Sequence, residues 1–240
     1  MKKQLSVLAL WLRLKLLPCV GLLAVMAALE LLLFRHGMNS GETWLPTMDA
    51  LLSRSGIQHI FFITFVLLLM LFSRSHSKAR YTLARLRVRE ETGALWDAVC
   101  NIGCLFLLWS VQLAAALVMN RWHMELAAAV DPAAVGSQTV VLAFYRDSFL
   151  HFLLPLRHVD VWISNSCFFV AAGLLCAFDG YRIRREKKSF WSVLFVPMLA
   201  KSLSGGSSWP VACTALSAAL VIMALVRLVL GYRGEAALDA

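Results

Sequence analysis

Apolar residues gather into six stretches, near residues 14–34, 57–73, 95–119, 161–179, 189–203 and 209–230, and polar residues collect between them. A hydrocarbon core about 30 Å thick needs about 20 helical residues at about 1.5 Å each, so the pattern predicts six membrane-spanning helices. The fifth stretch is short for a crossing. It runs out at Lys201 and is followed by SGGSSWP. That sequence predicts a helix that stops early, a Gly205-Gly206 turn and a sixth helix opening at Trp209-Pro210, together a re-entrant external element. Non-helical backbone at such depth has to be buried in protein or face water, and Lys201 would snorkel outward or line a pathway.

Charge fixes the expected orientation. Arg74, Lys78, Arg80, Arg85, Arg87 and Arg89 fall between the second and third stretches, and Arg182, Arg184, Arg185, Lys187 and Lys188 between the fourth and fifth. With Lys2, Lys3, Arg13 and Lys15 before the first, the positive-inside rule predicts both termini in the cytoplasm. The opposite side agrees, since residues 35–56 carry only Arg35 and Arg54 against Glu42 and Asp49.

Three connecting segments carry patterns of their own. Residues 1–13 set Leu5, Leu8 and Leu12 on one helical face with Lys2, Lys3 and Arg13 elsewhere, which suits an interfacial helix on the inner surface or a plain extension of the first span. Pro18 then falls near the start of that span, where a missing amide donor costs little. Residues 74–94 mix Leu83, Leu86 and Val88 into the basic run, as a docking helix would. The external connection 120–160 ends in QTVVLAFYRDSFLHFLLPL, apolar enough to suggest a seventh span. A seventh crossing would export the Arg182 to Lys188 cluster and sink Arg146, Asp147 and His151, at roughly 2.5 to 3.5 kcal/mol for each charge at the membrane centre. The expectation is instead an external amphipathic or re-entrant helix, with Trp122 and Tyr145 at headgroup level.

Composition narrows the function classes. At 60% hydrophobic and 15% charged residues the chain has too little polar surface for a soluble protein of 240 residues. The net charge of +9 sits in loops and span ends, so the membrane accounts for it and no nucleic-acid partner is expected. No stretch is long enough for a soluble catalytic domain. There is no G-x-x-x-x-G-K-[ST] phosphate loop and no H-E-x-x-H, and the His123 to Glu125 and His158 to Asp160 spacings suit a strand rather than one helix face. Glu90-Glu91 reads as a solvated helix start. No enzymatic site, metal or bound cofactor is therefore expected on this chain. Cys19, Cys100, Cys104, Cys167, Cys176 and Cys213 all fall in or beside spans, where free cysteine packs as a small apolar residue. Glu30, Asp97, Asn101, Gln112, Ser164 and Asn165 lie inside spans and each needs a partner. Asp97, Asn101 and Gln112, at steps of four and eleven, share a face of the third helix, as glue between helices or as part of a path.

An inner-surface helix, six spans, a docking loop after the second and a broken external element before the sixth together resemble the permease subunit of type-2 ABC transporters. YTLARLRVREETGALWDAVCNIGCLFLLWSVQ, Tyr81 to Gln112, is similar to the coupling loop and third helix of small bacterial exporter permeases. The external connection 120–160 is longer than such permeases usually carry. The resemblance implies one permease domain over residues 1–240, in a multi-pass protein of the bacterial plasma membrane. It further implies a second permease subunit, identical or different, enclosing a path with this one, and separate ABC ATPase subunits that hold the ATP. Leu83, Arg85, Leu86 and Arg87 would carry the ATPase contact, and Asp97, Asn101, Gln112 and Lys201 would line the path. Export of lipophilic or peptide compounds is the implied activity. The vitamin-capturing membrane component of energy-coupling transport systems, with about six helices and cytoplasmic termini, is the alternative.

Overall fold

In a computed structural model, residues 2–39, 47–86, 90–130, 137–156, 159–184, 191–203, 212, 214–223 and 225–226 are described, and all regular structure among them is helical. The order is α1 (Lys2–Met38), α2 (Met48–Ser55), α3 (Ile57–Leu86), α4 (Glu90–Val130), α5 (Ser137–Arg146), α6 (Ser148–Leu153) and α7 (Val159–Arg184). A 3₁₀ turn (Trp191–Leu194) then leads into α8 (Phe195–Leu203), and α9 covers Thr214–Met223. Among the described residues three stretches are long and apolar enough to cross a membrane, within α1, α4 and α7, with a fourth if the bent pair α2 and α3 is one span. The chain is thus a helical protein with the makings of a multi-pass membrane protein. The fifth and sixth predicted spans coincide with shorter apolar helices, Ser192–Lys201 and Thr214–Met223, and residues 204–210 of the predicted turn lie outside the described residues.

The four long helices alternate in direction. Trp11 meets Gly93, Lys15 meets Asp97 and Glu30 meets Gln112, each pair 82 residues apart, so α1 and α4 run parallel in constant register. Asn101 meets Gly173 while Trp109 meets Phe169 and Trp162, so α7 runs antiparallel to α4. Lys15 lies over the ring of Phe72, and Pro18 and Leu22 share a cavity with Leu67, Met70 and Leu71, which makes α3 antiparallel to α1. Two odd and two even passes of one chain would have this arrangement.

Side chains explain why α1 exceeds its predicted length. Val7, Trp11, Lys15, Cys19, Leu23, Met26, Glu30 and Phe34 recur at steps of three and four, and all are buried, whereas Leu17, Val25 and Leu32 on the opposite face are more than 60% exposed. Val7 and Trp11 pack against Cys100 and Trp96 of α4, so residues 2–13 continue the first span without a break. Two sequence expectations change with it. Pro18 lies inside the 37-residue helix, not near its start, and withholds one backbone donor there. Lys15, counted above among the inner-surface charges, is fully buried in the bundle.

Between α2 and α3 the chain bends by 46° at Gly56, whose φ of 67° is the left-handed conformation that caps α2 and that a side chain would resist. On the same end, residues 138–156 hold no helix long enough to cross a membrane. Asp147 breaks them into α5 and α6, of ten and six residues, and its carboxylate accepts the Leu150 amide at 2.9 Å as the N-cap of α6. Phe149, Leu150 and Leu153 are buried, and Phe149 and Phe152 meet Phe61 of α3 edge-on. The apolar character that suggested a seventh span serves packing against protein.

Candidate functional site: the polar seam between α1 and α4

Charged groups buried in an apolar bundle cost free energy unless paired, so their partners reveal what holds the helices together. Lys15 donates to the Asp97 carboxylate and to Asn101 Oδ1, with all three residues fully buried. Its ammonium also stands 4.7 Å from the ring centre of Trp11 and 5.1 Å from that of Phe72, an arrangement of cation over aromatic faces. Trp11 Nε1 donates to the Gly93 carbonyl at 3.1 Å. One lysine therefore ties α1, α3 and α4.

Asn101 extends the knot to the fourth helix. Its Nδ2 donates to the Gly173 carbonyl of α7 at 3.3 Å. A Cβ on Gly173 would stand 2.6 Å from Ile102 Cγ1 and 2.9 Å from the Ile102 backbone nitrogen, so only glycine lets α7 approach α4 this closely. Beyond this knot Cys19 and Cys104 face one another across α1 and α4, and both are free thiols. Fifteen residues above Lys15, Glu30 and Gln112 form a second rung in which Gln112 Nε2 donates to Glu30 Oε2 at 2.9 Å. At about 1.5 Å per residue the two rungs lie about 22 Å apart.

Of the residues expected to line a path, Asp97 and Asn101 come together at Lys15, Gln112 joins Glu30 at the second rung, and Lys201 sits exposed on α8. Hydrophobic patterning could not expose Lys15 or Gly173 as members of the site. The available signal was the four-residue spacing Trp11, Lys15, Cys19 on the face of α1 that also holds Glu30. Of the other polar span residues, Asn165 donates to the Phe152 carbonyl at 2.7 Å, and Ser164 is buried beside it. Leu83, Arg85 and Leu86 fall in the last turns of α3, and Arg87 lies outside the described residues.

Other polar groups gather at the opposite end of the bundle. Arg35, Met38 and Asn39 of the α1 end and Trp122, Glu125, Leu126 and Ala129 of α4 border a cavity of about 390 Å³. Arg146 of α5 pairs with Asp49 of α2 at 2.8 Å. Burial first, and then the nearby charge of Asp49, hold the Asp147 carboxyl above its ordinary value, while the Leu150 amide pulls it down. Among the described residues no group of three or more His, Cys, Asp or Glu is arranged to hold a metal ion. No family model, curated protein or solved structure matches the chain.

Proposed function

We propose that the chain is the membrane-spanning permease subunit of an ATP-driven ABC transporter. In this reading it crosses the bacterial plasma membrane six times with both termini in the cytoplasm, pairs with a second permease subunit and exports lipophilic or peptide cargo. The ATP is held by separate subunits. The supporting observation is the hairpin of α3 and α4. Helix α3 has 30 residues and so is about 45 Å long, well beyond the roughly 30 Å of a hydrocarbon core, and α4 resumes at Glu90 after only residues 87–89. Its apolar part closes near Ser73, and the remaining turns to Leu86 carry the basic and apolar mixture suited to a protein partner. A helical arm of that length would transmit a push at its tip to the buried seam, because α4 carries Asp97 and Asn101 within its first four turns.

The assignment is tested with tagged full-length chain purified in mild detergent from its own host. The expected result is a co-purifying ATPase whose association is lost in Leu86→Asp while membrane insertion is unchanged. Full ATPase recruitment by Leu86→Asp would contradict the docking role.

A further inference from the structure

We propose that Glu30 and Gln112 form a binding site for a single proton within the membrane-spanning bundle. Both residues are fully buried, and their one recorded bond runs from Gln112 Nε2 to Glu30 Oε2. Among the described residues, Glu30 Oε1 and Gln112 Oε1 are buried oxygens with no hydrogen-bond partner. Both are acceptors. Two buried acceptors on bonded partners lack a donor, and among the described residues no cation pairs with the carboxylate, which in an apolar bundle is an expensive arrangement. One proton on Glu30 Oε1 removes all three faults. It neutralises the carboxylate and turns one orphan acceptor into a donor for Gln112 Oε1. The two bonds then close the planar ring that a carboxylic acid makes with an amide.

The surroundings leave the site to this pair. On the faces of α1 and α4 that meet here, Met26 and Phe34 flank Glu30, and Leu108, Ala116 and Met119 flank Gln112, all buried. The charged and titratable groups that the packed elements bring to this end are Arg35 and His36 on α1, Asp49 and Arg54 on α2, His59 on α3, Arg121, His123 and Glu125 on α4, Tyr145 and Arg146 on α5, Asp147 and His151 at α6, and Asp160 on α7. None of them is buried. The proton thus belongs to the closed seam. Parting α1 from α4 would admit water to Glu30 and release it, so protonation and closure of the seam are linked. The site requires only that α1 and α4 lie in the bilayer, so the absence of an ATPase partner would leave it standing.

Dicyclohexylcarbodiimide, which adds to protonated carboxyls in apolar surroundings, is the probe for the full-length chain in phosphatidylcholine vesicles. The expected result is an adduct on Glu30, located by peptide mass spectrometry, that fades as pH is raised and is unaffected by sodium ions. Difference infrared spectroscopy of the wild type provides the second reading, a protonated-carboxyl band that is absent in Glu30→Gln. No adduct and no such band over the same pH range would overturn the proposal. Protection by sodium would overturn it as well, since the occupant would then be a metal ion.

Discussion

Lys15 shows how one residue can be answered from three helices. Asp97 supplies the opposite charge, Asn101 a further acceptor, and Trp11 and Phe72 the aromatic faces. Removing one partner of such a pair leaves a buried charge uncompensated, at about 3–5 kcal/mol, whereas replacing both with apolar side chains is often neutral. Lys15→Met should therefore lower the thermal midpoint of the purified protein markedly, and Lys15→Met with Asp97→Leu should recover most of the loss. An equal loss in the single and double variants would show that the pair is not what holds the seam. Hydropathy could not find this pair, because a lysine near the start of an apolar run reads as a loop charge and its partner is 82 residues away. Glu30 and Gln112 were legible as polar residues in need of partners, since their neighbours in sequence are apolar. Their pairing was not, because it depends on the register of two helices.

Among the elements, α4 and α7 meet through Gly173 at one level and through the rings of Trp109, Trp162 and Phe169 at another. A methyl group at Gly173 collides with Ile102, and two of the three close atoms are backbone, which cannot rotate aside. Gly173→Ala should cost about 1–3 kcal/mol of stability, read from thermal unfolding, with Gly173→Leu costing more. An unchanged midpoint in both would mean that α4 and α7 do not approach so closely. At the other end, α6 starts at Asp147, and Asp147→Ala should remove an N-cap worth about 1 kcal/mol. The same carboxyl makes α6 sensitive to pH. Its folded pKa is raised, so its contribution to stability is fully present below the unfolded value and is lost as pH rises through the folded one. Hydrogen exchange in residues 148–153 should accelerate beyond its intrinsic rise with pH across that window in the wild type, and not in Asp147→Asn. The bend at Gly56 and the break at Asp147 were only partly readable in the sequence. Glycine and aspartate mark places where a helix can end, but only the fold shows that residues 148–153 pack onto the bundle through Phe61.

At the scale of the whole molecule, helices α1, α3, α4 and α7 alternate in direction around the polar seam, and α3 and α4 extend together past the thickness of a bilayer. The first four apolar stretches were legible because about 20 apolar residues have few uses other than a span. Their lengths were not, since polar turns continue a helix without any change in hydropathy to mark it. Helix α4 runs to Val130 through Arg121 and Glu125, which pair at 3.0 Å one turn apart. The functional claim rests on the tip of the α3 and α4 hairpin. It is tested most directly by placing a photoreactive phenylalanine analogue at position 86 of the full-length chain and irradiating host membranes. The prediction is a covalent adduct with a separate protein that carries a phosphate loop. Adducts with lipid or with the chain itself, and none with such a protein, would contradict the assignment.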